Sequence, residues 1–459
     1  MIKPTSPKVL LLNPPGRRNY GRDYYCSKVN KANYVEQPVD FVYLTGILER
    51  HAEYLVIDAI VDKLDSSACL KRILDFHPDV IVFLSGWVSW IEDFPFLAAV
   101  KQHLPGSRLI GMGDLFLDRD VFLKHDWIDA VLYDFRNTDI LEYLSGNVQA
   151  VSNMLVRHQG KMVEKKLAKN QAPKTFRSLL PRHELFLKHA YSFPFAKRLP
   201  FVTVLTDFGC PFRCRFCVYS EIGYRTGDLA GVCQELELIR SLGVREVFFK
   251  DQTFGIDRQR GEALCRFMID NKMDLSWTCF LRVTQAKPDF LNLLKDAGCH
   301  TIIFGVETAS QDELNRYQKQ TSIEETRRAI RATRQMGIRS VGTFILGFPN
   351  EDQASIQNTI RFALELDPDY AAFNTYVPKT EAMGFDSSLN HRYDQSGIES
   401  NTNAGNGVLT GQEIIHWRRQ AVRRFYLRPR YILRKLLRMK SGVELKMHLK
   451  SFLFVMKES

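Results

Sequence analysis

No stretch of this 459-residue chain reaches about 18 uninterrupted apolar residues, so the sequence offers no membrane span. The opening MIKPTSPKVLLLNPPG carries an apolar run too short for a signal sequence. A disulfide framework is equally unsupported, because the nine cysteines are odd in number and six of them are scattered. Acidic residues run short in one place only. From Gln412 onward 13 Lys and Arg face three Glu, so the first 411 residues are nearly neutral and the net charge of +11 belongs to the tail. No RNA-binding module is recognisable, and a basic tail alone gives only salt-sensitive, nonspecific affinity; no nucleic-acid partner is expected. No solenoid period is present either. What remains is ordinary for a globular protein, 45% hydrophobic and 25% charged, and long enough for two or three cores. A cytoplasmic home is expected.

Apolar runs and helical patterns alternate twice. Val9–Leu12, Tyr54–Ile60, Asp79–Leu84, Arg108–Met112 and Asp129–Leu132 are short apolar runs without polar alternation, which predicts strands covered on both faces. The fold class is α/β: an N-terminal Rossmann-like, doubly wound parallel sheet over 1–145. Ligands of such sheets lie at the carboxyl ends of strands, where Asn13-Pro14-Pro15-Gly16, Ser85-Gly86-Trp87 and Gly111-Met112-Gly113-Asp114 fall. Residues 146–195 read as a linker. A second series, with strands at Phe201–Thr206, Arg245–Lys250, Leu275–Arg282, His300–Val306, Ser340–Leu346 and Tyr370–Tyr376, predicts a partial (β/α)6 TIM-like barrel over 196–390. Residues 391–459 form a basic, helical C-terminal extension, broken at Pro429. Its amphipathic pattern suits either an anionic membrane surface or a cap on the barrel with cations toward an anionic substrate.

CPFRCRFC, residues 210–217, sets Cys210, Cys214 and Cys217 in the spacing C-x3-C-x2-C just after the first barrel strand. Zinc prefers four ligands, and Cys233 would have to fold back to supply the fourth. Three thiolates suit a [4Fe–4S] cluster with one iron left open. With Phe216 before the last thiol, the loop resembles that of the radical S-adenosylmethionine (SAM) superfamily. The resemblance implies that SAM chelates the open iron and is cleaved by one electron to a 5′-deoxyadenosyl radical. It further implies an external electron donor of the flavodoxin or ferredoxin type. By the same likeness, Asp251 or Gln252 meets the methionine ammonium and Arg282 its carboxylate. Glu307 lies near the ribose hydroxyls, and Phe344-Ile345-Leu346-Gly347-Phe348-Pro349 beside the adenine.

A doubly wound domain ahead of such a barrel is similar to the cobalamin-binding subgroup of that superfamily. The resemblance implies a corrin held over the barrel mouth, with Asn13, Pro14, Gly86, Gly111 and Gly113 beside it. Asp-x-His-x-x-Gly, which supplies a cobalt ligand in some cobalamin domains, is missing after the first strand, and His51, His77 and His103 look like surface residues. Tyr20–Lys28 either lines the corrin or substrate pocket or is a surface loop held by Tyr packing, with Cys26 a buried small residue. A further departure is Pro378-Lys379-Thr380 where the subgroup often has Pro-x-Pro-Gly-Thr. The implied activity is a cobalamin-dependent radical SAM C-methyltransferase acting on a small-molecule or lipid-like substrate. Radical cyclisation, rearrangement or carbon–carbon coupling without methylation is the alternative. A non-catalytic cluster- or corrin-binding module is the alternative of another class.

Overall fold

The computed structural model describes residues 6–30, 34–165, 175–176, 179–377 and 405–438. The front sheet contains β1 (Lys8–Asn13), β2 (Glu53–Asp58), β3 (Val80–Leu84), β4 (Arg108–Met112) and β5 (Ala130–Leu132), all parallel in the order β2-β1-β3-β4-β5. β3 is buried along its whole length and β1 beyond its first residue, which is why both read as unbroken apolar runs. The strand order reverses between β1 and β3, so the ligand crevice of this sheet opens beyond Asn13 and Leu84.

Two strands were not expected. β6 (Met154–His158) and β7 (Lys161–Lys165) form an antiparallel hairpin on the β5 edge. The sheet therefore continues past residue 145 into the segment read as linker. β7 ends the sheet with Lys161, Glu164 and Lys165, charges that keep an edge strand from pairing further. Farther along, His189 and Tyr191 meet Asp62 and Asp58 of the front domain, and the end of the linker reaches the barrel. Phe193 stacks on Phe248 with ring centroids 4.3 Å apart and also meets Phe201.

The barrel strands are β8 (Phe201–Val204), β9 (Glu246–Phe249), β10 (Ser276–Phe280), β11 (Cys299–Glu307), β12 (Arg339–Leu346) and β13 (Tyr370–Thr375), parallel and in consecutive order. Their alternation divides two cores. Val202, Val247, Phe249, Ile302 and Phe304 face the surrounding helices, while Phe201, Phe248, Ile303 and Val341 join the core shared with Phe193 and the front sheet. Helices Leu229–Ser241, Arg258–Asp270, Ile323–Gln335 and Gln353–Leu366 open on the side-chain caps Asp228, Asp257, Ser322 and Asp352. Three lie on the chain just after a strand and Ile323–Gln335 follows the short helix Gln311–Arg316, so the loops that leave the strands gather at one end of the barrel.

The described part of the basic tail packs on the barrel wall. Helix Gly411–Tyr426 buries Ile414, Ala421 and Phe425, and the Tyr426 hydroxyl donates to the carbonyl of Ala371 in β13. After it, helix Pro429–Arg438 begins at the expected break. Arg428 and Arg434 pair with Asp367, in the turn between helix Gln353–Leu366 and β13, which is the amino end of that strand. Burial works against the Asp367 carboxylate, but these two cations hold its pKa below the usual value. Arg428 and Arg434 thus serve the end of the barrel opposite the cysteine loop. Pro378–Glu381 and the chain after Arg438 lie outside the described residues.

Because Phe425 is fully buried against Phe373 and Tyr431, Phe425→Ala is expected to cost about 3–5 kcal/mol. A thermal melt checks this, and an unchanged midpoint would show that the tail helix is not part of the barrel's core.

Candidate active site

Beyond β8 the chain makes a small antiparallel hairpin, Asp207–Gly209 against Tyr224–Gly227, and the cysteine loop is the span it closes. Cys210 N donates to Gly223 O at 3.0 Å, and Cys217 N to Cys214 O at 3.0 Å. Cys214 is buried and the other two thiols are half-buried. Burial pushes the Cys210 and Cys217 thiols up, and each feels the charge of Cys214, so the three sulfurs share one neighbourhood. Among the described residues no three His, Cys, Asp or Glu side chains converge on the scale of a single ion. Tetrahedral zinc needs its sulfurs about 4 Å apart. Three thiolates suit a [4Fe–4S] cluster with one iron left open, and Cys233 is half-buried on helix Leu229–Ser241.

Two cations face the thiols. The Arg282 guanidinium, at the end of β10, lies 3.8 Å from the centroid of the Phe212 ring and donates to Gln320 O at 3.0 Å. Lys319 Nζ is 2.7 Å from Glu307 Oε1 and sits over the Phe216 ring at 5.4 Å. Burial works against the Lys319 ammonium, but Glu307 and then Cys214 hold its pKa above the usual lysine value. Gly305 makes room for this pair. A Cβ there would lie 2.3 Å from Glu307 Oε1 and 2.7 Å from Lys319 Nζ, so a larger residue would make the pair shift. The three thiols with two nearby cations fit an anionic thiolate cluster, since buried thiolates need positive charge close by.

Phe216, Tyr317, Phe348 and Tyr376 form one aromatic group beside the loop, with Tyr317 and Phe348 at 4.6 Å between centroids. Glu351 fixes the turn that carries Phe348, accepting from Gly347 N at 2.6 Å and Phe348 N at 3.2 Å, and burial raises its carboxyl to about 7. Asp251 has partners of its own. Its Oδ1 accepts from Thr206 N and Asp207 N, both at 2.7 Å, and its Oδ2 from Thr206 Oγ1 at 3.1 Å. This carboxyl anchors the root of the cysteine hairpin. Gln252 lies beside it, half-buried. Lys319, Phe212, Tyr317 and Glu351 are site residues that sequence reasoning passed over. Lys319 lies between Gln318 and Gln320, both with positive φ, on a loop without a motif.

Residues 205–363 match the radical SAM superfamily. The barrel part of the chain carries a radical SAM domain over these residues. In radical SAM enzymes three cysteines hold a [4Fe–4S] cluster and SAM binds its open iron, so this chain is an enzyme with the cluster and SAM as cofactors. Cys210, Cys214 and Cys217 fall within the matched span.

Among curated relatives, an uncharacterized methyltransferase of Pyrococcus horikoshii is 27% identical over 358 residues, covering 74% of this chain and 76% of the relative. The anaerobic magnesium-protoporphyrin IX monomethyl ester cyclase of Cereibacter sphaeroides is 26% identical over 360 residues, covering 74% of this chain but only 58% of the cyclase. A solved structure of the radical SAM methyltransferase TsrM from Kitasatospora setae, with cobalamin and a [4Fe–4S] cluster bound, superposes with a TM-score of 0.64 at 17% identity. It covers 81% of this chain and 75% of TsrM. That likeness establishes the fold: the front sheet and radical SAM barrel occur together in TsrM.

The front-sheet residues also come together, but among protein atoms. Asn13 donates to Asp58 at 2.8 Å and accepts from Arg22 at 2.8 Å, and the Pro14 carbonyl accepts from Arg22 at 3.0 Å. A Cβ on Gly111 would lie 2.4 Å from the Phe116 ring, on Gly86 2.2 Å from Ser27 Cβ, and on Gly113 2.0 Å from Ser85 O. His51, His77 and His103 are exposed, as expected. Cys26 is exposed, not the buried small residue of the second reading, while the tyrosine packing of that reading is present in buried Tyr24 and Tyr25. In this arrangement Arg22 and Ser27 occupy the strand-end crevice.

Two expectations follow. Asp251 is pushed up to about 8 by burial and by neighbouring Asp207. An unfolded aspartate titrates at about 3.9, so between these values the folded state holds the extra proton. Stability should then fall as pH rises and level off above about 8, by up to about 1.4 kcal/mol per pH unit. Asp251→Asn should flatten that slope between about pH 6 and about pH 8 in urea melts, and an unchanged slope refutes the assignment. Separately, Lys319→Met should weaken SAM binding at least about tenfold, the scale of one lost charge-assisted contact. Glu307→Gln added to it should recover folding stability, since a buried charge no longer stands alone, but not SAM affinity. Calorimetric titration with SAM and a thermal melt separate the two effects.

Proposed function

We propose that this radical SAM enzyme methylates an unactivated carbon of a small-molecule or lipid-like substrate, with cobalamin as methyl carrier. The observation that carries the radical part is the cysteine loop set beside two buried cations and an aromatic group. The methyl-transfer part is supported by the naming of the Pyrococcus horikoshii relative and by the fold shared with TsrM. Bound cluster and SAM supply a 5′-deoxyadenosyl radical on one-electron reduction. The protein's share is positioning, charge balance and exclusion of water. Cys210, Cys214 and Cys217 hold the cluster. Arg282 and Lys319 offer cations for the methionine carboxylate, and Phe216 with Tyr317, Phe348 and Tyr376 forms an apolar wall suited to adenine or substrate. The one-electron donor is a flavodoxin- or ferredoxin-type protein.

A second reading, radical ring formation or rearrangement without net methylation, has its own support. The Cereibacter sphaeroides cyclase is nearly as similar as the methyltransferase, and the front crevice is filled by protein.

The test is anaerobic turnover with SAM carrying a deuterated methyl group and a chemical reductant. Expected are 5′-deoxyadenosine and a product bearing the labelled methyl. Deoxyadenosine with an unlabelled, rearranged product moves the assignment to the second reading. Replacing Cys210, Cys214 and Cys217 by Ala should abolish deoxyadenosine formation and iron retention together.

A further inference from the structure

The crevice of the front sheet is filled from within. Arg22, 1% exposed, reaches into the switch point between β1 and β3. Its Nη2 is 2.7 Å from Asp93 Oδ1, its Nε donates to Ser89 Oγ at 2.9 Å, and its Nη1 donates to Asn13 Oδ1 and Pro14 O. Ser27 Oγ donates to Asp114 Oδ2 at 2.7 Å and presses against Gly86, closing the space beyond β3 and β4.

The same segment also fills the gap toward the barrel mouth. Tyr24 is fully buried, with its ring against Phe135, Phe208 and Tyr219, and its hydroxyl accepts from Gly209 N at 2.7 Å, next to the first cluster cysteine. Asp23 is joined to Lys250 at the end of β9, 2.6 Å away, and Lys250 also meets Glu36 at 2.9 Å. One strand of chain therefore bridges sheet and cysteine hairpin through the volume where a flat, bulky ligand would sit between the domains.

We infer that residues 20–30 and a corrin exclude one another. The segment occupies both the strand-end crevice and the space above the cysteine loop, so a corrin enters only if Arg22 and Tyr24 leave. The inference deepens the cobalamin reading above and rests on it for the ligand, not for the geometry. The device is steric. Every group named is already paired inside the protein, so a corrin would have to replace an ion pair, a hydrogen-bonded hairpin and a packed aromatic contact at once.

The test uses the full chain with its cluster reconstituted anaerobically, incubated with hydroxocobalamin and passed through a gel-filtration column. Corrin per chain is read from absorbance, and hydrogen exchange is followed in peptides spanning residues 20–30. The expected result is corrin below about one-tenth per chain, or corrin uptake accompanied by at least about tenfold faster exchange in that segment. One corrin per chain with the segment's protection unchanged overturns the inference. Cleavage of SAM measured on the same sample keeps the two proposals apart. Intact cleavage without corrin uptake leaves mutual exclusion standing and removes the cobalamin carrier from the proposed function. Loss of cleavage counts against the radical SAM assignment of the loop and leaves the exclusion to be decided by the exchange data alone.

Discussion

Three thiols that must lose their protons in a half-buried place set the terms for the barrel mouth. A thiolate taken out of water is costly unless positive charge stands close by. Arg282 and Lys319 supply it, one from the end of β10 and one from the loop beyond β11. The rest of the local design follows. Glu307 keeps Lys319 from carrying an uncompensated charge when the thiols are protonated, and Gly305 leaves the gap through which the two meet. The Phe212 and Phe216 rings hold the cations by their faces without competing for them as acceptors would. Asp251 pins the hairpin root so that the cysteines face these cations at all.

Such a site requires a rigid rear wall, and the front domain provides it. Tyr43, on the buried helix Val39–Leu48, accepts from Leu205 N at 2.7 Å where β8 turns toward the cysteine hairpin. It also donates to Glu235, which His183 contacts at 2.9 Å from the connecting segment. Residues from all three parts of the chain therefore meet behind the loop. The aromatic plug at Phe193 serves the same purpose at the interior of the barrel, where an open wall of six strands would otherwise expose its inward residues. The domains form one core at this interface, and separating them would expose Phe201, Phe248 and Ile303 together with the face of the front sheet.

What could be read from the sequence was whatever depends on local pattern. Runs such as Val9–Leu12 and Val80–Leu84 are legible as parallel strands because burial on both faces leaves no polar alternation. The loop of Cys210, Cys214 and Cys217 stands out because three thiols fall within eight residues. The hairpin Met154–Lys165 was not legible, since an edge strand such as Lys161–Lys165 carries charge and resembles a loop. Lys319 was not, because its meaning comes from a contact with Glu307 twelve positions away through two turns of positive φ. Nor was the fate of the basic tail. An amphipathic stripe says that something apolar covers it, and only the fold shows that Ile414, Ala421 and Phe425 find the barrel wall.

The front crevice shows why fold likeness and ligand binding part company. Asn13, Gly86 and Gly113 lie at the strand ends where a doubly wound sheet receives its ligand, so placement alone argues for a cofactor. Placement is a property of topology, however, and is shared with TsrM at 17% identity. Whether the place is available depends on the side chains that reach it. Arg22 would be an improbable visitor to an empty pocket, because a guanidinium at 1% exposure persists only when its donors are met. Here Asp93, Ser89, Asn13 and Pro14 meet them, and Asp93 is itself held by Ser85 and Ser89. The glycines that would let a ligand approach backbone instead let Ser27 and the chain at Arg22 approach it. The same small residues serve either occupant, and the buried ion pair at the switch point is the feature that tells them apart.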